Sequence, residues 1–178
     1  MKQSIARRGA AVVTAAALTL GASALLAPTA DAKPKPKPLK GSTTGTVLFN
    51  CEFAGTAFEY PATITLSGTR ASKTAKPVKL VATMSDLPGV APLALNFDAT
   101  SAMDVTVGTV DTVLKGKGKL VTEGPREPAK MFPAKGAATT KSNSLPITVT
   151  AFEAVVFGNA IPCVPAEGQG ALGTLTLK

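Results

Sequence analysis

Apolar and polar residues alternate along most of the chain after residue 41. In Thr46 to Phe53, Val47, Phe49, Cys51 and Phe53 fall on one face, while Thr46, Asn50 and Glu52 fall on the other. Leu48 is the exception on the polar side. Ala62, Ile64 and Leu66 alternate with Thr63, Thr65 and Ser67. The same period runs through Val78 to Met84, Leu93 to Phe97, Met103 to Val107 and the terminal Leu175 and Leu177. A period of two marks a half-buried strand, because successive side chains leave opposite faces of the pleat. Leu145 to Phe157 also reads as strand, but its phase slips. Leu145, Ile147, Val149 and Ala151 share a face that would carry Glu153 inward. A bulge or bend near Ala151–Glu153 would instead put Phe152, Ala154 and Val156 in the core.

Turn signals separate these runs: Ser67-Gly68, Leu87-Pro88-Gly89, Lys115-Gly116-Lys117-Gly118 and Glu123-Gly124-Pro125. No long period of 3.6 residues occurs beyond residue 33. Many short alternating strands between turns predict an all-β fold, an antiparallel β-sandwich.

The start of the chain has a different pattern. Met1 to Arg8 is short and basic, Gly9 to Ala27 is apolar and uncharged, Pro28 breaks the run, and Ala30-Asp31-Ala32 supplies small residues. This order predicts a signal peptide over residues 1–32, cleaved after Ala32. A membrane anchor is the alternative, since the apolar run is long enough to span. Its wealth of Ala, Thr, Gly and Ser and its cleavage-like end favour the signal peptide, so no span is expected after cleavage. The expected location is secreted or in the cell envelope.

Lys33-Pro34-Lys35-Pro36-Lys37-Pro38 follows. Each proline fixes φ and removes a donor, so residues 33–40 are expected to form an extended polyproline-II arm. A solubilising spacer is its plainer role. Its functional role would be to bring Lys33, Lys35 and Lys37 against an anionic cell-wall polymer. Residues 41–178 are expected to form the β-sandwich domain. From Gly41 onward 12 Lys and Arg stand against 10 Asp and Glu. The high isoelectric point therefore belongs largely to the leader and the arm. With a nearly neutral fold and no Trp, nucleic acid is not an expected partner.

Two cysteines in an exported chain most simply form one disulfide, Cys51–Cys163. A metal site or a catalytic thiol would usually need His, and the chain has none. The same absence removes Ser-His-Asp triads and nearly all zinc hydrolases. Lys115-Gly116-Lys117-Gly118-Lys119 lacks the Gly-Lys-Ser/Thr end of a phosphate loop and reads as a basic hairpin turn or loop. Asp98, Asp104 and Asp111 are the candidates for a glycosidase pair, and Asn96, Asp98 and Asp104 for calcium, but they read as solvated surface groups. Tyr60, beside Pro61 and near Phe58 and Glu59, is the candidate contact for a ligand such as carbohydrate. Its other reading is a rim residue with its hydroxyl in water. No metal and no cofactor is expected.

The segments Asn50-Cys51-Glu52-Phe53-Ala54-Gly55 and Pro61-Ala62-Thr63-Ile64-Thr65-Leu66, with the Ala-rich leader, the segment Pro77 to Pro92 and the late Cys163, carry a resemblance. The chain resembles small secreted actinobacterial proteins of unknown function. That resemblance implies an immunoglobulin-like sandwich with one disulfide, and it transfers no catalytic residue. The expectation is a non-enzymatic binding or structural module at the envelope or outside the cell. The alternative is an enzyme inhibitor presenting Gly124 to Pro133, or an unrecognised glycoside-acting enzyme.

Overall fold

The computed structural model describes residues 36–89 and 93–178, so the expected signal peptide, Lys33 and Lys35 lie outside the described residues. Nine strands follow one another: β1 (Leu39–Phe53), β2 (Thr56–Arg70), β3 (Pro77–Met84), β4 (Asn96–Val107), β5 (Val110–Val121), β6 (Ala134–Thr139), β7 (Ser144–Val156), β8 (Asn159–Pro165) and β9 (Ala171–Thr176). The chain is all-β among the described residues. β1 begins at Leu39, two residues before the expected domain boundary. Leu39 is buried, and Lys40 exchanges both backbone bonds with Lys178.

Every strand pairing is antiparallel. Pairing runs β4-β5-β6-β3-β2-β1-β8-β7 and then returns from β7 to β4, so the sheet closes into an eight-strand barrel. β8 and β9 share the place between β1 and β7. β8 pairs with Phe49–Cys51 of β1 and with the second half of β7, while β9 pairs with Ser144–Thr148 at the start of β7. The expected immunoglobulin-like arrangement of two separate sheets differs from this continuous ring. The physical reason is strand length. β1 and β2 have 15 residues each and β7 has 13, which lets one strand pair along both edges with different neighbours. Closure removes the exposed edges that a sandwich must protect.

The inward rows follow the alternation of the sequence. Val47, Phe49 and Cys51, Ala62, Ile64 and Leu66, Val78, Leu80 and Ala82, and Met103, Val105 and Val107 are all buried. The phase slip in β7 is real. The register with β4 shifts between Asp104 and Val105, leaving Thr150 without a partner in the ladder. Leu145, Ile147 and Val149 are buried before this bulge, and Phe152, Ala154 and Val156 after it. The bulge lies one residue before the expected site. The outward rows carry Thr63, Thr65, Ser67 and Thr69 on β2 and Lys115, Lys117 and Lys119 on β5. Apolar inside and polar outside is the inverse of a lipid-facing barrel.

Two segments read as turns are strand interior. Ser67-Gly68 lies inside β2, and Lys115-Gly116-Lys117-Gly118-Lys119 lies inside β5. Gly116 and Gly118 occupy the inward row, where the ring of Phe132 packs on them. A Cβ on Gly118 would come within 2.7 Å of that ring. These glycines make room for an aromatic side chain. The reversal between β4 and β5 is made instead by the Gly108 region, where Gly108 has φ 66°.

Candidate functional site

The two ends of the barrel are built differently. At one end the inward row of β2 finishes in Arg70, which is fully buried. Its guanidinium donates to the carbonyls of Thr140, Lys141 and Ser142 and to Oδ1 of Asn143, at 2.6–3.1 Å. All four acceptors belong to the loop between β6 and β7. One arginine thus ties that loop down as a plug over the core. Exposed Lys37 lies at this end, near Ser72, Lys73, Thr74 and Lys178.

At the other end β1, β5 and β7 finish and β8 begins, and the core opens as an apolar pocket of about 170 Å³. Phe53, Leu87, Leu95, Leu120, Ala129 and Ile161 contribute to its walls. Its walls are held by paired backbone. Leu87 and Ala129 exchange both bonds, at 2.8 and 2.9 Å, and the Leu95 amide donates to Thr122 Oγ1 at 2.8 Å. Glu127 is the charged residue lining it among the described residues. Leu93 and Phe157 stand on the rim, 55% and 64% exposed.

Phe157 is conformationally unusual. It and Gly158 form the two-residue turn between β7 and β8, with φ 52° and 77°. Positive φ at both central residues defines a type I′ hairpin turn, a position that favours Asn or Asp before Gly. A phenylalanine in the left-handed region costs roughly 1–2 kcal/mol. Its ring lies over Phe97, with centroids 3.8 Å apart.

The expected site residues are dispersed. Cys51 and Cys163 form the disulfide, directly opposite each other on β1 and β8 with Cα atoms 4.1 Å apart. The bridge joins neighbouring strands within the ring and indicates an oxidising compartment. No helix among the described residues is long and apolar enough to cross a membrane.

Tyr60 requires a correction. Both readings placed it at the surface, but it is only 1% exposed. It lies on the inward row of β2, stacked on Phe49 at 6.1 Å and close to Phe152 at 6.4 Å. Its hydroxyl donates to the Ser85 carbonyl, which satisfies the one polar atom of the ring. It therefore has no surface to offer a ligand. Burial, reinforced by the charge of Asp86, pushes its pKa up to about 12. An unfolded tyrosine ionises near 10. The unfolded chain thus loses this proton first as pH rises. The stabilisation is complete below pH 10 and is lost towards pH 12, roughly 2–3 kcal/mol in all. Because Tyr60 is the one tyrosine and Trp is absent, absorbance at 295 nm reads this group alone. A native midpoint near 10 would contradict the buried position.

Asp104 and Asp111 are diagonal neighbours across β4 and β5, and Asp98 stands apart from both. All are exposed on the outer wall. Asp98 and Asp104 are six residues apart on β4, roughly 20 Å along a strand, and Asp111 accepts from Thr106 Oγ1 at 2.7 Å. The described residues contain no group of three or more His, Cys, Asp or Glu able to hold a metal ion. The Gly124 to Pro133 segment is pinned on both sides, through Ala129 to Leu87 and Lys130 to Val121.

Sequence reasoning missed Arg70, Phe132 and Phe157. Arg70 was legible in principle, because it continues the Ala62-Ile64-Leu66 phase through Gly68. No protein-family model, curated protein or solved structure matches this chain.

Proposed function

We propose that the protein is an exported, non-enzymatic binding module that works at the cell envelope or outside the cell, and that its site is the apolar pocket at the open end of the barrel. The observation that carries this reading is Phe157. It is an exposed aromatic held in a left-handed conformation on the rim of an apolar pocket, where folding alone would favour Asn or Gly. Strain and exposure coinciding at one rim residue support a contact role. The pocket is small. A cavity of about 150 Å³ holds one benzene molecule, so the group received is a single ring or short alkyl end. Glu127 disfavours an anionic ligand. The immunoglobulin-like kinship remains part of this proposal, resting on the sequence resemblance.

The test is titration with benzyl alcohol, octylamine and octanoate, followed on methyl resonances of Leu87, Leu93 and Leu120. Saturable shifts are expected with the alcohol and the amine, and weaker ones with octanoate. No saturable shift with any of the three would sink the pocket as a site. Phe157→Asn is expected to weaken this binding while changing stability by less than about 1 kcal/mol. Relief of roughly 1–2 kcal/mol of backbone strain offsets the lost ring pair, worth about 0.5–1.5 kcal/mol. A urea midpoint shift like that of a core phenylalanine, about 3–5 kcal/mol, would contradict it.

One observation favours the glycoside-acting alternative. Asp104 and Glu153 border the same shallow groove with Ala102 and Pro162. Ala102 pairs with Glu153 and Asp104 with Ala151, so the two carboxylates are diagonal neighbours. Both are exposed, which leaves them in water. Product from peptidoglycan or chitin that disappears in Asp104→Asn or Glu153→Gln would establish that reading.

A further inference from the structure

Lys115, Lys117 and Lys119 occupy successive outward positions of β5, and all three are exposed. Such positions are roughly 6.6 Å apart along a strand. Lys135 on β6 is directly opposite Lys115. Lys79 on β3 is diagonal to Lys135, whose direct partner there is Val81. Diagonal neighbours lie roughly 7 Å apart. Five ammonium groups from three strands therefore form one continuous band on the side wall. Two acids flank it on β4: Asp98 is opposite Lys119 and diagonal to Lys117, and Asp104, opposite Val113, is diagonal to Lys115. Glu153 stands beyond them on β7, opposite Ala102.

This arrangement opposes stability. Like charges directly opposite each other in a sheet are destabilising. Lys115 and Lys135 form one of only two residue pairs that join β5 to β6. The same motif has a structural interior: its glycines seat Phe132 inside, while its lysines line up outside. A fold that is nearly neutral overall thus gathers five of its cations where they repel, at its thinnest pairing.

We propose that this band binds a flexible linear polyanion of phosphate groups lying along β5. Lysine serves phosphate as a point charge and needs no fixed fork geometry. Phe97 and Phe132 lie off the outward rows that carry the band. Among the described residues, exposed Phe157 alone stands beside it, in one groove with Asp98 and Lys117. A single ring is not the series of platforms on which successive bases stack. The band meets the rim of the apolar pocket at Phe157, but none of its lysines lines that pocket, so lysine and Phe157 replacements test the two sites separately.

The experiment is fluorescence anisotropy of labelled linear inorganic polyphosphate against the full chain across a salt series. K115Q/K117Q/K119Q is compared with K73Q/K76Q/K141Q, which removes the same charge away from the band. The band variant should weaken binding about tenfold or more, and its log–log salt slope should fall by about 2. The control should stay within about twofold of the parent. If the band variant loses structure, the single replacements serve, each lowering the slope by about 0.7. Equal weakening in both triple variants would reduce the effect to net charge and overturn the proposal, as would no weakening in either. Tighter binding of duplex DNA than of polyphosphate would overturn the class of polymer.

Discussion

Replacing Arg70 with alanine is expected to destabilise the fold by about 3–5 kcal/mol, a large share of the 5–15 kcal/mol typical of a domain. The loss has two sources. Removing the buried stem leaves a cavity at the end of the β2 row. Removing the guanidinium leaves the carbonyls of Thr140, Lys141 and Ser142 without their donor. Hydrogen bonds to charged groups contribute about 1.5–3 kcal/mol each, though water will reach part of this loop. Arg70→Met separates the two sources, because it keeps most of the stem and none of the donors. Buried ions can often be replaced by apolar residues without loss, but here the acceptors are backbone and stay behind. Arg70→Met is therefore expected to lose more than half as much as Arg70→Ala, read by urea unfolding on Tyr60 fluorescence. A near-neutral Arg70→Met would show that Arg70 acts through volume alone.

Removal of the disulfide is the second large effect. Cys51 and Cys163 are 112 residues apart in sequence. The chain-entropy model gives about 4.7 kcal/mol for a loop near 100 residues, and removing native bridges typically costs about 2–5 kcal/mol. In this barrel the bridge reinforces a short pairing, since β8 meets β1 over only Phe49, Asn50 and Cys51. The paired Cys51→Ala/Cys163→Ala chain should keep its β-structure and lose about 2–5 kcal/mol. Amide exchange should accelerate first at Asn50, Val164 and Ala166, whose N–H groups lie on the β1–β8 seam. Uniform acceleration, with no preference for this pairing, would argue that the bridge does not guard a local weak point.

Much of the fold was legible because burial imposes a period of two. The faces of β1, β2, β3 and β7 and the bulge near Thr150 follow from which residues must avoid water, and the Cys51–Cys163 pairing from there being two cysteines. The barrel was not legible. An inward row reads the same whether the opposite wall belongs to a second sheet or to a closed ring. Glycine caused the main local error. Ser67-Gly68 and Lys115-Gly116-Lys117-Gly118-Lys119 look like turns, yet a Cβ on Gly68 would meet Leu175 at 2.7 Å and one on Gly118 would meet Phe132. A missing side chain can serve a neighbour's packing as well as a backbone reversal, and only the neighbour distinguishes the two. Reading Gly68 as a turn also ended the β2 pattern at Ser67, three residues too early, which hid Arg70. Tyr60 was misplaced because its phase was not carried back from Ala62. The pocket depends on Phe157 and Leu93, whose roles arise from where distant strands end and so leave no periodic trace.

The Lys40–Lys178 backbone pair brings the first strand and the last residue together at the plugged end. Phe53, at the far end of β1, lines the pocket, and 15 residues of strand reach roughly 45–50 Å. Leu39 and Lys178 thus lie at the end of the barrel opposite the pocket, so a fusion at either would leave the pocket unobstructed. A circular permutant that joins residue 178 to residue 39 and opens between Ala54 and Gly55 would move both chain ends to the pocket and leave the plugged end free.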